Sequence, residues 1–183
     1  MKYYAAQIKT RAEEKFIKLF KALHPQENVT IYFPMREIIE RHKGKHIQKL
    51  LPVFPGYIFI EIQDAQNIFD YYWLLNKMPF FYHFLKSNNE IQKMDGRDLE
   101  IIRHFIKTPN GKKTAVSEIS QVYFNEDDRI VVLSGALAGL EGNIIKIDKR
   151  KGRVKVKLDL CGEKFSIDLA FENIESRRSV GHL

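Results

Sequence analysis

The sequence predicts two domains of different class: an α+β domain followed by a small all-β barrel. Three observations predict it. Helical and strand patterns alternate as far as Ile106. A polar stretch with Pro109 and Gly111 comes next. Beyond it, short strand signals are separated by Gly135, Gly139, Gly142, Gly152 and Gly162. The expected boundaries are residues 1–107 for the first domain, 108–122 for a linker and 123–176 for the barrel.

Tyr3 to Ile8 reads as the first strand. Thr10 then opens a helix, with Glu13 completing a capping box. Ala12, Phe16, Leu19, Phe20 and Leu23 make its apolar face, and His24-Pro25 ends it. Val29 to Phe33 is the next strand. Arg36 to Arg41, the Lys43-Gly44 turn and Lys45 to Leu51 form a hairpin. Its cations Arg36, Arg41, Lys43, Lys45 and Lys49 are opposed only by Glu37 and Glu40, so it reads as a basic surface arm.

Tyr57 to Ile62 follows as a strand with Ile58, Ile60 and Ile62 on one face. Its other face is also apolar, which means burial on both sides or an exposed docking face. Asp64 is expected to cap a helix burying Ile68, Tyr71, Tyr72 and Leu75. Phe80 to Leu85 is a short aromatic strand. Asp95 caps a third helix burying Leu99, Ile102, Phe105 and Ile106. This order suggests a sheet with helices packed on one face. In the C-terminal part, Arg129 to Leu133, Gly142 to Ile147, Val154 to Leu160, Phe165 to Leu169 and Glu172 to Ile174 read as five strands. Short strands at that spacing close into a barrel. The tail 176–183 is expected to be mobile.

Composition narrows the function classes. Of 183 residues, 44% are hydrophobic and 29% charged, the balance of a globular chain. The runs without charge, Leu50 to Ile60 and Ile130 to Leu140, are too short to span a bilayer. No N-terminal stretch reads as a secretory signal. Cys161 is the only cysteine, which excludes an internal disulfide and a cysteine-based zinc cage and points to a reduced, cytoplasmic setting. Lys+Arg exceeds Asp+Glu by 30 to 23, a net +7 that favours a polyanionic partner. Enzyme signals are poor. There is no phosphate-binding glycine loop, dinucleotide fingerprint or nucleophile elbow. His42 and His46 flank a turn rather than sharing a helix face, so they make a weak metal pair. No cofactor, metal or catalytic residue is expected.

The most specific segment runs Asp128-Arg129-Ile130-Val131-Val132-Leu133-Ser134-Gly135, through Gly139-Leu140-Glu141-Gly142, to Asn143-Ile144-Ile145-Lys146-Ile147-Asp148. A strand, a glycine-punctuated loop and a second strand led by glycine resemble the KOW motif. The N-terminal half carries Tyr3-Tyr4-Ala5-Ala6-Gln7 and Phe54-Pro55-Gly56-Tyr57-Ile58-Phe59. Together, in this order, they resemble the NusG family of transcription elongation factors over about residues 1–175. The resemblance implies an NGN-type α/β sandwich, a mostly antiparallel sheet with helices, joined to a five-stranded KOW β-barrel. Asp127-Asp128 where the family often has Gly-Asp, Ala136 after Gly135, and Tyr3 in place of tryptophan are departures.

Within the family, Leu140 to Lys151 resembles LoaP, a processive antiterminator acting on selected operons. From Lys146 to Lys157 the cations are Lys146, Lys149, Arg150, Lys151, Arg153, Lys155 and Lys157, against Asp148 alone. They make a phosphate-reading patch or a solvated lysine face.

The resemblance implies docking on the clamp helices of RNA polymerase through Gln7, Phe54, Pro55, Tyr57, Phe59 and Phe84. It implies DNA contacts, upstream or on the non-template strand, for Arg36, Arg41, Lys43, Lys45, Lys49 and Lys77. For the barrel it implies a nascent RNA hairpin, or ribosomal protein S10 or Rho if the chain is a housekeeping elongation and termination factor. A KOW barrel alone would also suit a ribosome-associated RNA-binding protein. One family member stores its KOW domain as a helical hairpin. The β-branched alternation here predicts a barrel at rest. A monomer without membrane contact is expected.

Overall fold

The computed structural model describes residues 1–42, 45–87, 90–106 and 115–174, with the side chains of 41, 42, 46, 86 and 87 also outside the description. Lys43, the side chains of Arg41, His42 and His46, residues 108–114 of the expected linker and the tail 176–183 therefore lie outside the described residues. The chain forms two compact units, Met1–Pro34 with Phe54–Ile106, and Met35–Val53 with Lys107–Leu183.

In chain order the elements begin with β1 (Lys2–Ile8), α1 (Glu13–Leu23), β2 (Thr30–Tyr32), β3 (Met35–His42), β4 (Lys45–Pro52) and β5 (Tyr57–Ile62). They continue with α2 (Ile68–Asn76), β6 (Phe81–Phe84), β7 (Lys86–Ser87), β8 (Glu90–Ile91) and α3 (Gly96–Ile106). The last are β9 (Val116–Ser117), β10 (Ser120–Phe124), β11 (Ile130–Ser134), β12 (Ile144–Asp148), β13 (Arg153–Leu160) and β14 (Glu163–Asn173).

The first unit is built on a sheet of order β2-β5-β1-β6, with antiparallel pairs throughout. Tyr4, Ala6, Ile8, Ile58, Ile60 and Ile62 face one way and pack on Phe16 and Phe20 of α1 and Ile68, Tyr71 and Leu75 of α2. The opposite face carries Tyr3, Ala5 and Phe59. Phe59 packs edge-on to Phe54, and Phe54 to Phe105 of α3, with ring centroids 5.5 and 5.6 Å apart. Helices thus cover both faces, not one as the element order suggested. That is why β5 is apolar on both sides. A polar knot lies on the α3 face: the Tyr3 and Tyr32 hydroxyls both donate to the buried Glu61 carboxylate, at 2.8 and 2.7 Å. Burial first, then the Glu61 carboxylate, pushes the Tyr32 hydroxyl well above its ordinary value.

Two of the three sequence-derived N-caps move, while Asp95 directly precedes α3 as expected. Helix α1 starts at Glu13, after Ala12, with no side-chain cap, because the Glu13 carboxylate is buried and engaged elsewhere. Helix α2 is capped by Asn67 in a capping box with Asp70, while Asp64 pairs with the N-terminal amine. In α3 the buried set is Ile101, Ile102, Phe105 and Ile106, with Leu99 only half-buried.

The second unit contains a curled five-stranded sheet of order β11-β10-β14-β13-β12 and a three-stranded sheet of order β4-β3-β9. Along β13, Val154, Val156, Leu158 and Leu160 are buried, and the residues between them face outward. Two strand expectations need correction. Ser120–Phe124, which falls largely in the expected linker, is an interior strand of the sheet, between β11 and β14. Phe165 to Leu169 and Glu172 to Ile174 are one strand, because β14 pairs antiparallel with β13 along its length and parallel with β10 at its end. The β3–β4 hairpin is not a free arm. Ile38 is buried, and Met35 and Arg36 pair in parallel with Val116 and Ser117.

Candidate functional site

In the first unit, Phe54-Pro55-Gly56-Tyr57 is held by hydrogen bonds in three directions, two to backbone and one to a side chain. Tyr57 N–H donates to Phe54 C=O at 3.2 Å, Ile8 N–H donates to Gly56 C=O at 2.8 Å, and Gly56 N–H donates to Glu13 Oε1 at 2.7 Å. Gly56 has φ +83°, and a Cβ there would sit 2.9 Å from Thr10 Oγ1. Glycine is therefore favoured by the left-handed conformation, and a Cβ would also require the Thr10 hydroxyl to shift. The turn buries Phe54 and presents Pro55 outward.

The strand register decides which predicted residues meet. Gln7 lies opposite Tyr57 on one side and opposite His83 on the other. Tyr57, Gln7 and His83 therefore form a row across β5, β1 and β6, next to Pro55. Phe59 lies on this same face, two residues along β5 from Tyr57, and both it and Phe54, which packs on it, are fully buried. Phe84 is not part of it. Its partner is Ala6, so it points into the α1–α2 core, stacked on Tyr72 with ring centroids 6.1 Å apart. The position opposite Gln7 on β6 is held by His83, which the sequence analysis does not name. The alternation of β6 against β1 was the available signal. Glu13 was misread as a local cap.

Lys77 lies exposed just past the C-terminal end of α2, its N–H bonded to the last turn.

In the second unit, the β12–β13 turn carries Lys149, Arg150 and Lys151 at its tip. Lys149 pairs with Asp128, and its ammonium stands 4.0 Å from the centroid of the Phe124 ring. Lys151 lies 3.8 Å from Asp148. Arg153, Lys155 and Lys157 line the outer face of β13, and Lys146 lies opposite Lys155. Lys155 is 3.1 Å from Asp168. Lys146, Arg150 and Lys157 form no ion pair among the described residues.

The hairpin meets this face. Arg153 Nη2 donates to Ile39 C=O at 3.2 Å and lies 3.8 Å from Glu40. Lys49 lies 2.5 Å from Glu40, Lys45 is exposed, and Arg36 donates to Pro52 C=O. Burial pushes the Arg36 guanidinium below its ordinary value. Asp168 opposes that shift and Arg153 adds to it. Chemically, the described residues of the unit offer cations on strands and a turn. Among the described residues no group of His, Cys, Asp and Glu could hold a metal, and no helix is long and apolar enough to cross a membrane.

A family model described as transcription termination factor NusG matches residues 1–103. The transcription termination/antitermination protein NusG of Thermus thermophilus is 26% identical over 184 aligned residues, covering 95% of this chain and 97% of that protein. The Pasteurella multocida protein of the same name is 23% identical, covering 84% and 81%. A solved structure titled as domain interaction in Thermotoga maritima NusG aligns over 92% of this chain and 93% of its own, at 18% identity and a TM-score of 0.45. With more than half of its length matched by the family model, the chain belongs to the NusG family of transcription termination/antitermination factors.

Proposed function

We propose that this chain is a processive antiterminator. It docks on the clamp helices of RNA polymerase through its N-terminal unit and is loaded on selected operons through a nascent RNA hairpin held by its C-terminal unit. The observation that carries the reading is the outer row Arg153, Lys155, Lys157 on a strand whose inner row is fully buried, joined to the Lys149-Arg150-Lys151 turn. Phosphates meet cations there, without base reading. Docking would stabilise a closed clamp and so shift the polymerase away from paused states, a binding effect on its conformational equilibrium.

The experiment is multi-round transcription through successive intrinsic terminators, on templates with and without a leader hairpin. Read-through that depends on the leader is expected. Equal effects on every template would favour a general elongation and termination factor, working with Rho or ribosomal protein S10. The end-to-end similarity to the Thermus protein favours that second reading. Failure to bind polymerase would leave a ribosome-associated RNA-binding protein.

The docking row has its own test. Tyr57 is half-buried beside exposed Pro55, whereas Phe54 is fully buried. Tyr57→Ala is expected to weaken polymerase binding about tenfold, ~1.4 kcal/mol, beyond any loss of folded fraction that melting reveals. Co-sedimentation with core polymerase and circular-dichroism melting check the pair. A matching loss of stability would make Tyr57 a core residue.

A further inference from the structure

We infer that the β3–β4 hairpin and the outer face of β13 form one composite surface seating a single RNA duplex, rather than one site for DNA and another for RNA. This rests on the proposed reading that the C-terminal unit binds RNA, and it adds the hairpin to that site.

Glu40 joins the two parts. One carboxylate oxygen is 2.5 Å from the Lys49 ammonium, on the hairpin. The other is 3.8 Å from the Arg153 guanidinium, on the curled sheet. The Arg153 bond to Ile39 C=O fixes the approach. On β3, Arg36, Ile38 and Glu40 share one face. Lys49 is the cross-strand partner of Ile38, so it emerges on that same side.

From Lys49 the cations continue without a break. Arg153, Lys155 and Lys157 follow at two-residue intervals along one strand, roughly 6–7 Å apart. Lys146 stands beside Lys155 on the neighbouring strand. The run crosses from hairpin to sheet, and each of these side chains is at least partly solvent-exposed. Glu40 and Asp168 are its counter-charges in the free protein.

The form of the run selects the ligand. Among the described residues no aromatic ring lies on it, so the described run lacks the stacking platform that single strands require. Among the described residues the second unit has no α-helix to enter a DNA major groove, only strands and one 3₁₀ turn. A row of cations on a twisted sheet suits the phosphates bordering the shallow groove of A-form RNA. Binding then replaces the carboxylate partners with phosphates, so Glu40 acts against the ligand.

The test uses the full chain and a fluorescein-labelled RNA stem-loop with a 12-base-pair GC stem, titrated at several KCl concentrations. Lys49→Ala and Lys157→Ala are each expected to weaken binding several-fold and to lower the salt slope by about one. Glu40→Gln is expected to tighten binding a few-fold. If Lys157→Ala lowers affinity and slope while Lys49→Ala changes neither, the composite surface is overturned and the RNA reading stands. If the probe does not bind, or neither lysine matters, both are overturned. Equal affinity for the matching DNA duplex overturns the choice of RNA.

Discussion

Gly135→Ala is expected to unfold the curled sheet of the second unit under conditions where the wild-type protein is folded. Gly135 follows the last residue of β11 with φ +91°. A Cβ there would lie 2.5 Å from Ser120 Cα, 2.9 Å from Ile119 O and 3.0 Å from Ser120 N. These are backbone atoms of the entry into β10 and cannot rotate away. Ser120 is fully buried, and its hydroxyl accepts the Leu137 N–H at 2.9 Å, tying the far side of the same loop. The left-handed backbone costs about 1–2 kcal/mol for a residue with a Cβ, and overpacking about 1–3 kcal/mol more. A sum of about 2–5 kcal/mol is a large part of a small unit's stability. Gly139→Ala is the control. Gly139 has φ +83° but nothing within 4 Å of its added Cβ, so only the conformational cost applies. Urea unfolding followed by amide NMR separates the two units and reads both variants. Equal losses at 135 and 139 would show that conformation, not the close approach of β10, sets the requirement.

The Gly135 contact also shows where sequence reading reaches its limit. The glycine-punctuated loop was legible because turn chemistry is local. The alternation of β13 was legible because its inner and outer rows differ in kind at every position. Ser120–Phe124 was not, because a short strand after a polar stretch earns its place through partners far along the chain. It is flanked by β11 on one side and by β14, the last strand of the chain, on the other. Likewise, β14 looks like two strands in sequence, and only its change of partner shows that it is one. Caps failed for a related reason. Thr10–Glu13 and Asp64 satisfy local capping rules, but the tertiary partners Gly56 and the N-terminal amine claimed the two carboxylates. At the candidate site, the aromatic turn was visible as a motif. The row Tyr57, Gln7, His83 and the exclusion of Phe84 follow from register, which depends on pairing β6 with β1.

Glu13 yields the second large effect, and its two substitutions separate two physical roles. Its side chain is buried at the first turn of α1, and it accepts the Gly56 N–H at 2.7 Å. Glu13→Ala leaves that buried N–H without a partner, at about 1–3 kcal/mol, and opens a void beneath the turn. The expected result is a clear drop in thermal stability of the first unit. Polymerase binding should fall further than for Tyr57→Ala, because Pro55 and Tyr57 both lose their support. Glu13→Gln keeps an acceptor oxygen in the same place and removes only the charge. It is expected to remain within about 1 kcal/mol of wild type, the scale of a carboxylate's interaction with a helix N-terminus. Polymerase binding should be retained. Differential scanning calorimetry and co-sedimentation with core polymerase read both variants. If the glutamine variant falls as far as the alanine variant, the charge at the start of α1 carries the effect and the bond to Gly56 does not. If alanine lowers stability but leaves polymerase binding intact once corrected for the folded fraction, the turn keeps its shape without Glu13. The row Tyr57, Gln7 and His83, proposed above to dock on polymerase, would then be held by the Ile8–Gly56 and Tyr57–Phe54 backbone bonds alone.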